Sequence, residues 1–324
     1  KDKRCTFKVF QKERDMNIYT HFLPYFRNYV FPTFEMRDKT LKEFNSMKPE
    51  LKSKIVANHT CACFRYDLAD KVKGKVDRES DGIFFNIESI EIICFNTGIC
   101  FFTMKTNMEG TNDFYDLLDF NYKFRDITSE LNSLRNFEKI RIQTDSFKDI
   151  TDISELIGQI TGIYKRKITG IDKEFTNSRF YTYSYVCLES EYWNEKNSID
   201  EYSSDFYRYA NVFPSNYSSD FNKESIEQNL AILDKFKYYK MAFTKISSNL
   251  ICSGTDTYNY TNLPYKYENE YFYTYIIALY QKMFLRKLNS DFKEYEKISN
   301  MRNEFINFTK QLWEKEVTLS DLRK

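Results

Sequence analysis

The spacing of apolar positions is most regular in residues 265–324, at the end of the chain. Pro264 and Gly254 are the last proline and glycine, so neither residue type interrupts this segment. Apolar residues recur there mostly at intervals of three and four, at Phe272, Ile276, Leu279, Met283, Leu288, Phe292, Tyr295, Phe305, Phe308 and Leu312. This spacing predicts an amphipathic helix, either as one long helix or as two helices folded back on each other.

A second clear pattern lies in residues 83–107, where two apolar runs flank a turn signal. The first run ends at Phe95, and Asn96-Thr97-Gly98 leads into the second run, which begins at Ile99. Two apolar runs joined by Asn-x-Gly predict a β-hairpin. Because both runs are nearly continuous in apolar residues, we expect a central strand pair that is covered on both faces.

The rest of the chain alternates between strand-like and helix-like segments. The predicted strands are 5–10, 60–67, 139–144, 179–188, 238–246 and 250–252. The predicted helices are 39–47, 112–124, 150–164 with Thr151 or Asp152 as its cap, 198–209 and 223–233. Residues 19–31 contain Pro24, which argues against one uninterrupted helix, and the charged segment 71–81 predicts a loop.

This order of elements predicts the fold class. Strands that recur between helical segments, followed by an all-helical end, indicate an α/β (α+β) protein with a mixed β-sheet flanked by helices. We expect residues 1–264 to form the sheet domain and residues 265–324 to form the long helical region.

Composition and charge limit the classes of partner that this chain can bind. The chain has 324 residues and a formal net charge of +1, which gives no strong field toward nucleic acid or anionic lipid. Residues 1–54 hold 13 Lys/Arg against 7 Asp/Glu, and residues 186–234 hold 10 Asp/Glu against 3 Lys/Arg. The acidic stretch 186–234 is either an ordinary solvated face or a place that attracts divalent cations, whose preferred ligands are carboxylate oxygens.

Seven cysteines lie at irregular spacing, mostly in apolar or strand-like runs. Such a set predicts reduced, buried thiols in a cytosolic protein and not a disulfide framework. No stretch approaches the ~18 uncharged apolar residues that a membrane helix requires.

Two clusters could hold a metal ion. His59, Cys61 and Cys63 alternate along a predicted strand and share one face, which suits either zinc or plain strand packing, and the missing fourth ligand favours packing. Asp145 and Asp149, or Asp149 and Asp152, would share a helical face and could hold hydrated Mg²⁺, although acidic residues at a helix N-terminus also stabilise the helix by themselves.

Signals for catalysis are weak. Gly158 and Gly162 lack the Lys-Ser/Thr of a phosphate-binding loop, and no local context pairs a nucleophile with a histidine. We therefore expect a non-catalytic protein. The aromatic stripe Tyr271, Phe272, Tyr275, Tyr280 and Phe284 suits a partner groove or, more simply, core between packed helices.

Several segments resemble the soluble domain of CorA-like magnesium transporters, in a divergent bacterial branch. The similar segments are His21-Phe22-Leu23-Pro24-Tyr25-Phe26-Arg27, Phe95-Asn96-Thr97-Gly98-Ile99-Cys100-Phe101-Phe102, Ser178-Arg179-Phe180-Tyr181-Thr182-Tyr183-Ser184-Tyr185-Val186, the helix 271–288 with Leu279-Tyr280-Gln281, and the helix 301–317 with Phe308 and Trp313. Residues 254–264 depart from the family pattern, and the family's Gly-Met-Asn between two membrane helices does not occur.

The resemblance implies a cytosolic α/β/α domain whose long helices lead toward a membrane stalk after residue 324. It further implies a homo-oligomer, a pentamer in the family, at the cytoplasmic face of the membrane. Family members sense Mg²⁺ through interface carboxylates, and we expect the acidic stretch 186–234 to be the place to seek such a sensor, without assigning ligands.

Two alternatives stay open. Some CorA-like proteins accompany antiviral defence and are thought to respond to nucleotide messengers, which the basic segment 1–54 and the abundant Tyr and Phe could bind by charge and stacking. The other alternative is a soluble interaction protein without a membrane part.

Overall fold

The computed structural model describes residues 5–7, 15–24, 27, 46, 60–68, 72–77, 82–127, 140–144, 147–151, 153–161, 179–218, 230–292 and 298–311. Two compact units divide the chain. The first comprises Lys1–Asp2, Leu68–Ser89 and Lys105–Tyr265, and the second comprises Lys3–Asp67, Ile90–Met104 and Lys266–Lys324. The predicted mixed α/β class is confirmed.

The described strands are β1 Cys5–Phe7, β2 Cys61–Tyr66, β3 Val72–Asp77, β4 Gly82–Phe95, β5 Cys100–Glu109, β6 Ile140–Thr144, β7 Phe147–Thr151, β8 Thr182–Leu188, β9 Ala231–Phe236, β10 Tyr239–Phe243 and β11 Ser247–Ser253.

The described α-helices are α1 Met16–His21, α2 Phe114–Phe124, α3 Ile153–Thr161, α4 Ser203–Asn211, α5 Tyr258–Thr261, α6 Leu263–Lys266, α7 Phe272–Phe292 and α8 Ile298–Gln311. A 3-10 turn, Ile199–Tyr202, precedes α4, and a π-helical turn, Tyr267–Tyr271, precedes α7. None of these helices combines the length and the apolar character needed to cross a membrane.

The first unit contains two sets of paired strands. β3 pairs antiparallel with the first part of β4 and with β6, and β6 pairs with β7. A four-stranded sheet has the order β8-β11-β10-β9, in which β8 and β11 run parallel and the other neighbours run antiparallel. The predicted mixed sheet is therefore present in this unit.

A cluster of buried side chains packs α4 against the four-stranded sheet. Its members are Leu118, Trp193, Ile199, Phe206, Tyr209, Ala210, Leu230, Ala242 and Ile251. The apolar side of the segment that holds the 3-10 turn and α4 therefore faces the sheet.

The second unit combines β1, β2, the last part of β4 and the first part of β5 with α1, α7 and α8. β2 pairs antiparallel with β1 and with residues 90–95 of β4. The Tyr280 ring of α7 stacks on Phe95 of β4, with ring centroids 3.8 Å apart. This contact joins the strand to the helix, and both residues belong to one buried cluster with Ile18 and Phe22.

The end of the chain forms two helices that fold back on each other. Phe284 of α7 stacks on Phe308 of α8 at 4.2 Å between ring centroids, and the Lys287 ammonium lies 3.2 Å from the Glu304 carboxylate. Since later residues of α7 meet earlier residues of α8, the helices run antiparallel. The second of the two predicted arrangements is thus the observed one, although Leu312 and Trp313 lie outside the described residues.

Residues 71–81 were predicted to form a loop, and this prediction is wrong because 72–77 form β3. Val72 and Val76 are buried, whereas Lys73 between them is exposed, so the segment has the alternation of a strand. Gly74 is required by close packing: a Cβ there would lie 2.0 Å from the Phe85 ring on β4. Glycine and charged residues are uncommon within strands, and for this reason the sequence pattern predicted a loop here.

Two predicted helices also need correction. Residues 147–151, whose last two residues begin the predicted helix 150–164, form strand β7, and α3 starts at Ile153. Residues 231–233, the end of the predicted helix 223–233, belong to strand β9, while 219–229 lie outside the described residues. The predicted helix 39–47 also lies outside them, apart from Ser46.

The hairpin is present, with β4 and β5 as its strands, but it is not covered on both faces. β4 alternates between buried and more exposed positions, and Phe84 is 53 % exposed next to the fully buried Phe85. Every residue of β5 is half-buried or exposed. Its apolar run is short, since Lys105, Asn107 and Glu109 follow it and require solvent.

Adjacent residues on α7 provide a test of the core of the second unit. Phe284→Ala should lower the unfolding free energy by about 3–5 kcal/mol, because it leaves a cavity against Phe308 and Tyr280. Leu285→Ala, at a side chain that is 40 % exposed, should lower it by less than about 1 kcal/mol. Urea unfolding of both variants measures the difference, and equal losses would contradict this assignment of the core.

Burial raises the pKa of Tyr280 to about 12. The folded protein therefore keeps this phenolic proton at pH values where the unfolded chain, with a tyrosine pKa of about 10, releases it. The resulting stability is complete below pH ~10 and is lost as the pH rises toward the folded-state pKa.

In Tyr280→Phe, which keeps the ring, the loss of unfolding free energy between pH ~10 and pH ~12 should be smaller by about 2 kcal/mol. Urea unfolding across this pH range checks the prediction. Tyr260→Phe, at a side chain that is 54 % exposed, is the matched control and should leave the pH dependence unchanged.

Candidate functional site

Strand β11 is buried along its whole length, although much of it is polar. The exposed fractions of Ser247, Ser248, Asn249 and Ser253 are 1 % or less. Buried polar atoms are costly unless they form hydrogen bonds, so these side chains require partners within the protein. The partners determine how the surrounding segments are placed.

Two β11 side chains bind the last turn of α4. The Asn249 amide nitrogen donates to the Tyr209 carbonyl at 2.6 Å, and its oxygen accepts from the Ser184 backbone N–H at 3.1 Å. The Ser247 hydroxyl donates to the Ala210 carbonyl. Carbonyls at the end of a helix lack partners within the helix, so β11 satisfies them and fixes the end of α4 on the sheet.

A second set of bonds fixes the segment before the 3-10 turn. The Trp193 carbonyl accepts hydrogen bonds from the hydroxyls of Ser253 and Thr255, the latter at 2.7 Å. The Trp193 side chain is buried in the same core cluster as α4. These bonds therefore hold the segment that leads to Ser198 and Asp200 against the sheet.

A shallow depression of about 350 Å³ lies where this segment meets β9 and β10. Its lining residues are Trp193, Ser198, Ile199, Asp200, Asp234, Lys235, Phe236, Lys237 and Lys240. We call it the Lys240 depression. Its volume is at the lower end of the range for small-molecule sites.

Lys240, one of the lining residues, lies between two carboxylates. The Lys240 ammonium lies 2.9 Å from the Asp200 carboxylate and 3.2 Å from the Asp234 carboxylate. Burial alone would lower the pKa of Lys240, but its hydrogen bond to Asp200 and the charge of Asp234 outweigh burial, and the pKa is raised. Lys240 is therefore cationic at neutral pH.

Two further lysines, Lys235 and Lys237, lie at the same depression, so its lining holds three ammonium groups and two carboxylates. Lys237 is 3.4 Å from Glu195, but both side chains are largely exposed, so this ion pair is weak. Phe236, which is 44 % exposed, stacks on Tyr239 at 4.4 Å between ring centroids. Ammonium groups beside a partly exposed ring can bind an anion that carries a planar group.

The proposed zinc cluster is not supported by the described residues. Cys61 and Cys63 are buried in the core of the second unit, which agrees with strand packing, and His59 lies outside the described residues. Across the part of the chain that the structure describes, no group of three or more His, Cys, Asp or Glu residues is placed to hold a metal ion.

The predicted aspartate cluster and the aromatic stripe can each be compared with the described residues. Asp149 lies in strand β7 and not on a helix, so the shared helical face was a wrong expectation, while Asp145 and Asp152 lie outside the described residues. In the aromatic stripe, Tyr280 and Phe284 have no exposed surface and belong to the core. The interpretation of the stripe as core is therefore confirmed for these two residues.

A buried polar cluster in the second unit was not predicted. His21 Nδ1 lies 3.3 Å from the Glu270 carboxylate, and His21 Nε2 lies 3.2 Å from the Thr274 hydroxyl oxygen. The Thr274 hydroxyl itself donates to the Glu270 carbonyl at 2.9 Å. Both ring nitrogens of His21 thus have a polar partner within the second unit.

Glu270 reaches His21 from the π-helical turn that precedes α7. A π turn inserts an extra residue into the helical ladder and is frequent at functional sites. The spacing of apolar residues carries no signal for such a turn. Because His21 and Glu270 come from opposite ends of the chain, local sequence context could not have paired them.

No family model matches this chain, and no curated protein or solved structure matches it. The resemblance to CorA-like proteins therefore stays an expectation from the sequence.

Two glutamates of the π turn test the buried pair. Glu270→Ala leaves the buried His21 without its carboxylate and should lower the unfolding free energy by about 2–4 kcal/mol. Glu268→Ala, at an exposed position two residues earlier, should change it by less than about 0.5 kcal/mol. Urea unfolding at pH 7 compares them; a neutral Glu270→Ala variant would show that the pair contributes nothing.

Proposed function

We propose that this chain is the non-catalytic, cytosolic regulatory domain of a CorA-like cation channel, and that its ligand is a small anion of the nucleotide class. The family part of the proposal rests on the sequence resemblance and on the observed mixed α/β class with helices at its end. The ligand part rests on the Lys240 depression.

The observation that carries the ligand class is the position of the Lys240 ammonium. It occupies the place between Asp200 and Asp234 that a divalent cation would need. A cation approaching the pair meets an ammonium group, together with Lys235 and Lys237 at the same lining. The Lys240 ammonium therefore blocks the position between the two carboxylates for Mg²⁺, and an anion would bind through Lys235 and Lys237.

Each part of a nucleotide has a partner of suitable chemistry at the Lys240 depression. Phosphate oxygens would accept hydrogen bonds from lysine ammonium groups, and Lys237 can exchange its weak pair with Glu195 for a stronger one. A base would lie against Phe236, since aromatic rings stack on every base. The Ser198 hydroxyl and the Asp200 carboxylate can bind a ribose or an exocyclic amine.

Mg²⁺ sensing is the second candidate, and a specific observation favours it as well. Asp200 and Asp234 converge on one ammonium group, so a cation that displaced Lys240 would find two hard oxygen ligands. The family resemblance implies such a sensor in a pentameric ring. This candidate requires Lys240 to leave its two carboxylates before the ion binds.

Titration calorimetry with a panel of mono-, di- and cyclic nucleotides, with pyrophosphate and with MgCl₂ tests both candidates. We expect a nucleotide to bind with an affinity that falls as salt rises, because the contacts are ionic. Lys237→Gln should weaken it about tenfold, which corresponds to about 1.4 kcal/mol. Lys245→Gln removes the same charge from an exposed position outside the depression and should change nothing.

The outcomes separate the candidates. Heat with MgCl₂ alone, lost in Asp200→Asn, would reject the anion and support the magnesium sensor. A nucleotide that binds equally to wild type and to Lys237→Gln would place its site elsewhere. No heat with any of these ligands would contradict both candidates for the Lys240 depression.

A further inference from the structure

Two cysteines face each other at the tip of the β4–β5 hairpin. The Phe95 N–H donates to the Ile99 carbonyl at 2.8 Å, and the Gly98 N–H donates to the Phe95 carbonyl at 3.0 Å. Gly98 has φ of 86°, the left-handed conformation that closes this type of turn. Cys94 and Cys100 are therefore the first pair of opposed residues after Phe95 and Ile99.

The hydrogen-bond register defines what kind of pair this is. Opposed residues in an antiparallel ladder alternate between hydrogen-bonded and non-hydrogen-bonded pairs, and Phe95 with Ile99 is the hydrogen-bonded one. Cys94 and Cys100 thus form a non-hydrogen-bonded pair, in which Cα atoms are about 4.5 Å apart and side chains are closest. A disulfide accepts Cα separations of about 4.4–6.8 Å.

The two thiols differ in their exposure to solvent. Cys100 is exposed and Cys94 is half-buried. A hydrogen bond from the Cys94 thiol lowers the pKa of Cys100, against the opposing effect of burial. Cys100 is therefore the accessible thiol that an oxidant attacks first, and Cys94 is the neighbour that can resolve the product.

We propose that Cys94 and Cys100 form a reversible cross-strand disulfide, and that this hairpin tip is a thiol oxidation site for hydroperoxides. The Cys100 thiolate attacks one oxygen of hydrogen peroxide, giving a sulfenic acid and releasing hydroxide. The Cys94 sulfur then attacks the Cys100 sulfur and releases water, which leaves the disulfide. A dithiol reductant returns both cysteines to thiols by thiol–disulfide exchange and is itself oxidised to a disulfide.

Three other thiols are buried and therefore protected from oxidants in solution. Cys61 and Cys63 are 2 % and 3 % exposed, and Cys252, next to the half-buried Cys187 on the parallel strand, has no exposed surface. The sequence prediction of buried cysteines holds for these three buried residues but is wrong for Cys100. They provide an internal standard, since an oxidant should reach them only when the protein unfolds.

The disulfide would act on a part of the hairpin that bears structural contacts. Phe95, next to Cys94, stacks on Tyr280, and the Asn96 N–H donates to the Thr60 carbonyl at 3.0 Å. Closing the turn covalently restricts the motion of residues 95–99. The oxidised state should therefore show a stiffer tip with unchanged packing elsewhere. This inference is independent of the proposed ligand.

The experiment treats the folded chain with hydrogen peroxide, blocks the remaining thiols by alkylation and maps peptides by mass spectrometry. The expected product has Cys94 linked to Cys100 and a mass lower by two hydrogen atoms, and dithiothreitol restores both thiols. Hydrogen exchange of amides 95–99 should slow at least tenfold after oxidation. Cys187→Ser, the control variant, should form the same disulfide.

Single variants test whether Cys100 is oxidised first and whether Cys94 then forms the disulfide. Cys94→Ser should accumulate a Cys100 sulfenic acid that dimedone traps, and Cys100→Ser should leave Cys94 as a thiol. The proposal would be overturned if wild-type protein gave only sulfinic or sulfonic acid at Cys100. It would also be overturned if Cys94 and Cys100 stayed alkylatable at peroxide levels that oxidise an unfolded control.

Discussion

A strand that is buried along its whole length, and is nevertheless largely polar, sets the conditions for the first unit. Each hydroxyl or amide on β11 must replace the water it gives up, and three of these side chains find carbonyls of Trp193, Tyr209 and Ala210. The bonds tie the end of α4 and the segment before the 3-10 turn to one sheet. The Lys240 depression takes its shape from the same attachments.

Much of the fold follows from local pattern. The hairpin, α2, β8, β10 and the helical end lie where the spacing of their apolar residues predicted them. Two strands, β3 and β9, were not predicted. Their strand character depends on partners that supply the other hydrogen bonds, β4 for β3 and β10 for β9.

The candidate site was harder to foresee, because charge counted along the chain differs from charge in space. The window 186–234 is acidic, yet Lys237 and Lys240 lie just beyond it and return to its carboxylates. The count over sequence left open a solvated face or a cation site, and the structure places an ammonium group between two of the carboxylates. The pair of His21 with Glu270 shows the same limit, since tertiary contacts create it.

The composition of the second unit has a consequence for biosynthesis. Its parts, Lys3–Asp67, Ile90–Met104 and Lys266–Lys324, leave the ribosome at different times. Translation at about 5–20 residues per second separates the first part from the last by roughly 10–40 s. During that interval Ile18 and Phe22 have no access to the α7 residues of their core cluster. Until α7 is synthesised, these apolar side chains lack the partners that bury them, and exposed apolar surface of this kind favours aggregation.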